Sequence, residues 1–440
     1  MTVSSVFKRY FFSTSWLLSE RLFRMGLGFF VTILVARHLE PAGFGRVTYA
    51  LSFVSLFVPV ASLGLRMVTV REIVRHPGEQ SEIVGTALGL RLASGLILVP
   101  AVCAAAFALS QDRIANLLVA VFAFSILFRA SGVLSDYFQA HVLGKHIVAG
   151  MSISLVLSSL VTALFVAADF NTAWFTLPKL LEQLLLAMIL AYLFRSVSRG
   201  EMRLRFSPSM AKRLLKASWP LIFSALFISI YMRIDQVMIK LMLENRSAEK
   251  VGYYGAAVRI TEVWYFIPTT VAGSLFPALL AARKAGGRRY EQFLQTWYTC
   301  MTWGGVAIGA LVTTVAPWLI PFVFGASYTE AVPVAVLYAW AAVFVSQGVA
   351  RSRWLGAEDL QAFNAFFAGG SALLNVVLNL ILIPVLGIIG AAVATVVCQG
   401  SSVLIFPLFL QRTRPSSCAL VRSFNIFRLP ALLRDWRRGP

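Results

Sequence analysis

Ionisable side chains fall inside long apolar runs, among them Arg21, Arg24, Arg91, Arg129, Arg233 and Arg259, with Glu20, Glu182, Asp235 and Glu262. A charge near the centre of a bilayer costs at least ~2.5–3.5 kcal/mol on insertion scales, so such residues either pair with one another or mark a pathway. The cations outnumber the acids. A guanidinium stays charged at any pH and grips phosphate or carboxylate oxygens in bidentate fashion. The chemistry this pattern supports is therefore binding of an anion, phosphate-bearing above all, in a cationic cavity within the membrane. The candidate substrate-binding set is Arg24, Arg233, Arg91, Arg129 and Arg259.

Each arginine has a second reading as an interhelix ion pair or a snorkelling side chain. Arg21 and Arg259 lie nearer helix ends and can snorkel. Arg24 and Arg233 are too central to reach either interface easily. Asp235 stands at about the depth of Arg259 on the antiparallel neighbour, so a structural Asp235–Arg259 pair is expected, with ion coupling as the alternative role. Glu262 follows Arg259 by less than one turn and can pair locally. Asp235, Glu262 and Glu182 form the candidate ion-coupling set, for H+ or Na+.

Other chemistries lack their residues. No Gly-rich phosphate loop is present, so ATP is not the energy source within this chain. The four cysteines have no zinc spacing, and His38, His76, His141 and His146 fall in loops or at helix ends. No cofactor or metal is expected. The expected connections are too short to carry an extramembrane active site, and the first apolar segment is too long for a cleavable signal peptide. The chain reads as no enzyme.

The elements that carry these residues are set by composition. The 440 residues are 58% apolar and only 13% charged, which is not how a soluble domain is built. Apolar runs of about 20 residues recur almost end to end, the length that spans the hydrocarbon as a helix. The expectation is an all-α integral membrane protein with about twelve transmembrane helices, near residues 13–36, 43–65, 84–109, 114–137, 147–168, 173–195, 218–243, 252–281, 293–316, 331–350, 361–384 and 387–410. The net charge of +20 reflects cytoplasmic loops under the positive-inside rule and not nucleic-acid binding. Lys and Arg pile up around 66–75, 195–216, 283–289 and the tail, which places both termini in the cytoplasm.

The helices divide into two six-helix lobes, 1–200 and 201–411, followed by a basic cytoplasmic tail, 412–440. Residues 422–438 interleave arginines with apolar residues, as an interfacial helix on an anionic leaflet would. Residues 13–64 and 222–273 align without gaps, with eleven identities in 52 pairs, among them Arg24/Arg233, Arg37/Arg246, Glu40/Glu249, Gly43/Gly252, Pro59/Pro268 and Gly64/Gly273. Lobes with an even number of helices repeat in parallel about the membrane normal, and that arrangement sets Arg24 and Arg233 facing each other at similar depth. Pro59, Pro100, Pro220, Pro268 and Pro277 sit inside spans, where each removes a backbone hydrogen bond and permits a kink. They serve either static bending or hinging.

Several stretches carry a family resemblance. They are Leu39-Glu40-Pro41-Ala42-Gly43-Phe44-Gly45, Arg71-Glu72-Ile73, residues 211–216, Arg233-Ile234-Asp235-Gln236 and residues 251–257. Asn375-Val376-Val377-Leu378-Asn379 follows, running into Gly387-Ile388-Ile389-Gly390-Ala391-Ala392. In order and spacing they resemble the polysaccharide-flippase (Wzx-type) branch of the multidrug/oligosaccharidyl-lipid/polysaccharide exporter superfamily, over nearly the whole chain. The resemblance implies a bacterial inner-membrane flippase that moves undecaprenyl-diphosphate-linked oligosaccharide outward for O-antigen, capsule or exopolysaccharide assembly. It implies membrane lipids, a polymerase and other glycan-assembly proteins as partners. The related lipid II flippases use a cationic cavity, which Arg24 on the first helix fits. They often carry two further C-terminal helices with no counterpart in these 440 residues. Two alternatives stand beside this. A cation-coupled drug exporter of the same superfamily would want acids dominating the cavity. A membrane enzyme of glycan assembly, such as a polymerase or ligase, would want a long outer loop with clustered acids or histidines.

Overall fold

The computed structural model describes residues 3–198, 202–243 and 246–425, with side chains from residue 22 onward. The side chains of Glu20 and Arg21, and the part of the expected interfacial helix beyond residue 425, lie outside the described residues. Among these residues all regular structure is helical. Eleven candidate membrane spans are present, and the protein is a multi-pass membrane protein. The first candidate, Leu22–Arg75, is 54 residues long. At ~1.5 Å per residue it would extend ~80 Å, far beyond a ~30 Å hydrocarbon core. Glu40 breaks it with φ 54° and ψ 177°, so it holds two of the expected passes. That recovers the twelve passes read from the sequence.

The chain divides into two compact units, Met1–Leu226 and Phe227–Pro440. The first contains α1 (Val3–Ser62), α2 (Leu65–Arg75), α3 (Gln80–Leu109), α4 (Arg113–Ala123), α5 (Ser125–Phe128), α6 (Gly132–Ala140), α7 (Gly144–Ala167) and α8 (Leu177–Val197). The break between the compact units falls inside α9 (Pro208–Met242). The reason is local. The basic stretch expected as a linker is bound to the first unit: Arg205 N donates to Ser81 O at 3.3 Å, Ser207 N to Thr86 Oγ1 at 3.0 Å and Arg213 Nη2 to Glu79 Oε2 at 2.6 Å. Gly64, at φ +58°, lies so close to the backbone of Ser218 and Ile222 that a Cβ there would come within 2.9 Å of Ile222 N. Only glycine combines that conformation with that approach.

The second unit continues with α10 (Ser247–Glu262), α11 (Phe266–Ala285), α12 (Gly287–Phe324), α13 (Ala331–Tyr338), α14 (Ala341–Ala357), α15 (Ala362–Leu386), α16 (Ile388–Gly400) and α17 (Arg414–Arg422). Helices in lipid associate through small residues, since burial of apolar surface contributes little there. Gly305 on α12 meets α14 at a distance where a Cβ would come 2.6 Å from Val343 Cα. Large apolar side chains such as Ile97, Trp318 and Phe322 are exposed, as lipid-facing positions are. Buried hydroxyls bond the carbonyl one turn back, as Thr261 does to Ala257 and Ser346 to Ala342, so they need no distant partner.

Two expected helices are interrupted. Val263–Tyr265 is a tight 3-10 turn between α10 and α11, because Pro268 cannot donate to the Trp264 carbonyl and crowds it. The last span runs from α16 through a π-helical turn, Ser401–Ile405, into a 3-10 turn, Phe406–Phe409. Pro407 has no N–H for Val403 O, which instead accepts from Arg351. The segment after it also differs from a free tail: α17 packs on α12 with Ser416, Ser417 and Leu420 buried.

Candidate functional site

In the second unit, α9 carries Arg233 and Asp235 two positions apart, which sends them to different faces of the helix. Asp235 is 3% exposed. Its Oδ2 accepts from the Tyr254 hydroxyl and the Thr395 hydroxyl, each at 2.6 Å, and its Oδ1 accepts from Asn379 Nδ2 at 2.6 Å. Asn379 Nδ2 also reaches Asn375 Oδ1 at 3.2 Å. A buried carboxylate on α9 is thus ringed by neutral hydroxyls and amides from α10, α15 and α16. The expected Asp235–Arg259 pair does not form. Tyr254 and Arg259 are five residues apart on α10 and point to different sides, and it is Tyr254 that faces Asp235. Asp235 has no basic partner among the described residues. A lone buried carboxylate is tolerated when it holds a proton or a small cation.

Arg259 occupies a different environment. From Val251 to Thr261 every residue of α10 is buried except Arg259, which is exposed. Arg233 and Glu262 are the electrostatic neighbours of Arg259. The Tyr338 hydroxyl reaches Glu262 Oε1 at 3.4 Å. A cavity of about 370 Å³ opens beside Glu262, lined also by Tyr231, Tyr265, Arg351 and Thr395 among others.

In the first unit, Arg24 is half-buried and its Nη1 donates to Met151 Sδ at 3.2 Å. Arg91 is 5% exposed and its Nη2 meets Asp136 Oδ2 at 2.9 Å, with Arg66 Nε 3.9 Å from the other oxygen. Arg91 is therefore engaged with a carboxylate and not open to a ligand. Arg129 sits in a 3-10 turn, Arg129–Ser131, with Glu182 as its electrostatic neighbour. Glu182 in turn holds Lys179 at 2.9 Å. Of the candidate cations, the structure brings Arg233 and Arg259 together, pairs Arg91 off and sets Arg129 toward Glu182.

Sequence reasoning missed Asp136, Tyr254, Asn375, Asn379, Thr395 and Arg351 as functional or pairing residues. Asp136 was legible as the acid near the end of the fourth span. Asn375 and Asn379, one turn apart in an apolar run, share a face and signal a buried amide pair. Arg351 falls just past the expected span 331–350, where a cation reads as a loop charge, yet it is 4% exposed. Among the described residues no group of three His, Cys, Asp or Glu could hold a metal, though the Asp235 cluster does not need one: a monovalent cation takes one carboxylate and neutral oxygens.

The multi-pass helical fold is shared with solved membrane transporters of low sequence identity. An inward-facing multidrug resistance MATE family transporter matches with a TM-score of 0.72 and 16% identity, over 93% of this chain and 96% of that one. An inward-closed lipid II flippase MurJ matches with a TM-score of 0.67 and 16% identity, over 93% and 91%. A superfamily transporter from Pyrococcus furiosus, described as having a binding pocket of reversed polarity, matches at 0.56 and 14%, over 94% of each chain. No curated protein matches the sequence. The polysaccharide biosynthesis protein family matches residues 12–283, and the chain belongs to that family.

Proposed function

We propose that the protein is a flippase for undecaprenyl-diphosphate-linked oligosaccharide, moving it from the cytoplasmic to the outer leaflet of the bacterial inner membrane for O-antigen, capsule or exopolysaccharide assembly. The observation that carries this reading is Arg259: the single exposed position between Val251 and Thr261 of α10, with the charges of Arg233 and Glu262 near it. Such a group keeps its charge available to an anion, and a diphosphate satisfies two guanidinium groups in bidentate fashion. Arg24, the repeat counterpart of Arg233, completes the cationic set in this reading. Both termini face the cytoplasm, two six-helix lobes related by a parallel repeat alternate access around the cationic cavity, and the polymerase that extends the glycan acts on the delivered product.

The Asp235 cluster favours a cation-coupled cycle. A proton or Na+ bound there neutralises a carboxylate that has no basic partner, and its release exposes the charge again. The same feature would serve a drug exporter, but the two arginines oppose a cationic drug. Deletion of the gene tests the reading. A lipid-linked glycan should accumulate facing the cytoplasm, and its diphosphate should be recovered intact. Normal surface glycan and no accumulated intermediate in the deletion strain would refute it.

A further inference from the structure

The cavity of the second unit contains three buried polar atoms with no hydrogen-bond partner: Arg351 Nε, the Tyr265 hydroxyl and Ser371 Oγ. Buried polar groups in native proteins are otherwise nearly all satisfied, and an orphaned one costs about 1–3 kcal/mol. Three orphans around one cavity mark a place where a ligand supplies the partners.

Arg351 defines the chemistry. Its Nη1 donates to the carbonyls of Ser402 and Val403, the groups freed by the π-helical turn and by Pro407. Its guanidinium carbon stands 4.6 Å from the centre of the Phe367 ring. These contacts fix the plane of the group. The Nε–H has no acceptor, and no carboxylate pairs with Arg351 among the described residues. A guanidinium held by one nitrogen, with its Nε edge unsatisfied, is set to receive a carboxylate in bidentate geometry.

The rest of the lining narrows the ligand. Glu262 also faces the cavity, so its two charged groups sum to zero. A dianionic diphosphate would add two negative charges to this low-dielectric site and a single carboxylate only one, so the carboxylate is the better tolerated. The Tyr265 and Ser371 hydroxyls and the amides of Asn364 and Gln399 offer both donors and acceptors, which suits a ring bearing several hydroxyls. About 370 Å³ is at the small end of the ~300–1,000 Å³ usual for ligand pockets, room for one sugar residue.

We propose that this cavity is a binding subsite for a sugar ring carrying a single carboxylate, with the carboxylate on Arg351 and the ring hydroxyls on Tyr265 and Ser371. That the ring belongs to the transported glycan rests on the flippase reading. The pocket itself does not.

The test is calorimetric titration of the full-length protein in lipid nanodiscs with D-glucuronate, D-glucose and pyrophosphate. Glucuronate should bind saturably with a Kd of about 1–10 mM, a reasonable strength for one ring, and glucose at least about tenfold more weakly. R351Q should lose the preference for glucuronate. Because R351Q also removes the contacts to Ser402 and Val403, N364L provides the second variant: it fills the cavity without touching those contacts and should abolish glucuronate binding while the thermal midpoint is kept. No saturable glucuronate binding would mean that water alone fills the cavity, and the proposal falls. Equal affinity for glucose, stronger Arg351-dependent binding of pyrophosphate, or unchanged glucuronate binding by N364L would each overturn it too. A deletion strain that accumulates lipid-linked glycan, together with a protein that ignores glucuronate, would sink the subsite and leave the flippase reading standing. Glucuronate binding with no export defect would do the reverse.

Discussion

The Thr395 hydroxyl donates to Asp235 Oδ2 at 2.6 Å while Thr395 also lines the cavity that Arg351 faces. One side chain therefore belongs both to the buried carboxylate cluster and to the wall of the cavity. When a proton or cation joins Asp235, the Thr395 hydroxyl must share or surrender its bond, and the cavity wall registers the change within one side chain's reach.

Asp235→Asn keeps the shape and an acceptor oxygen but removes the charge. The variant should accumulate at near-normal abundance and lose export, with no remaining dependence on a proton or sodium gradient in vesicles. Asp235→Leu strands the donors of Tyr254, Asn379 and Thr395 at roughly 1–3 kcal/mol each, so its abundance should collapse. An Asn variant that still responds to the gradient would remove Asp235 from ion coupling.

Arg233→Ala and Arg259→Ala should each abolish glycan display in a complementation assay at normal protein level, as should Arg24→Ala. Removing one cation from a low-dielectric anion site costs a few kcal/mol, and ~1.4 kcal/mol is already tenfold. Lys at these positions should restore part of the activity, because charge persists without the bidentate fork. If all three Ala variants export normally, the cationic path lies elsewhere.

Arg91 and Asp136 predict the opposite pattern. Breaking a buried pair by removing one partner costs about 3–5 kcal/mol, while replacing both with apolar residues is often neutral. Immunoblots of Arg91→Leu and Asp136→Leu should show little protein, and the double variant should recover it. A low level in the double variant would mean that the two groups act beyond their mutual contact.

Orientation is open to labelling from outside intact cells, after removal of Cys103, Cys300, Cys398 and Cys418, all free thiols. A membrane-impermeant maleimide should reach a single cysteine at Ser327 and not one at Gly287, both exposed positions. Labelling at Gly287 would invert the assignment of both termini to the cytoplasm.

The passes were legible because hydrophobic length is a direct consequence of bilayer thickness, and charged residues within them stood out against apolar neighbours. Partners were less legible. Asp235 and Arg259 share a depth, which sequence gives, but not a face, which depends on the rotation of α9 and α10. The neutral ring of Tyr254, Asn379 and Thr395 comes from three separate helices, and no local spacing reports it. Arg351 was hidden for another reason: a cation near a helix end reads as a loop charge until Pro407 and the π-helical turn supply carbonyls that draw it inward.

The docking of α17 bears on how the protein is made. Ser416 bonds the Tyr298 hydroxyl at 2.8 Å, the Ala419 carbonyl accepts from Gln295 at 3.1 Å, and the Ser423 hydroxyl lies 2.6 Å from that of Thr302 and 3.4 Å from Gln347. During synthesis, α12 and α14 precede these partners by more than fifty residues. Until then the polar groups of Tyr298, Thr302 and Gln347 lack those contacts, and the second unit holds an unfinished surface that a membrane chaperone or protease can recognise. Arrival of α17 and the residues after it supplies those partners and closes that surface.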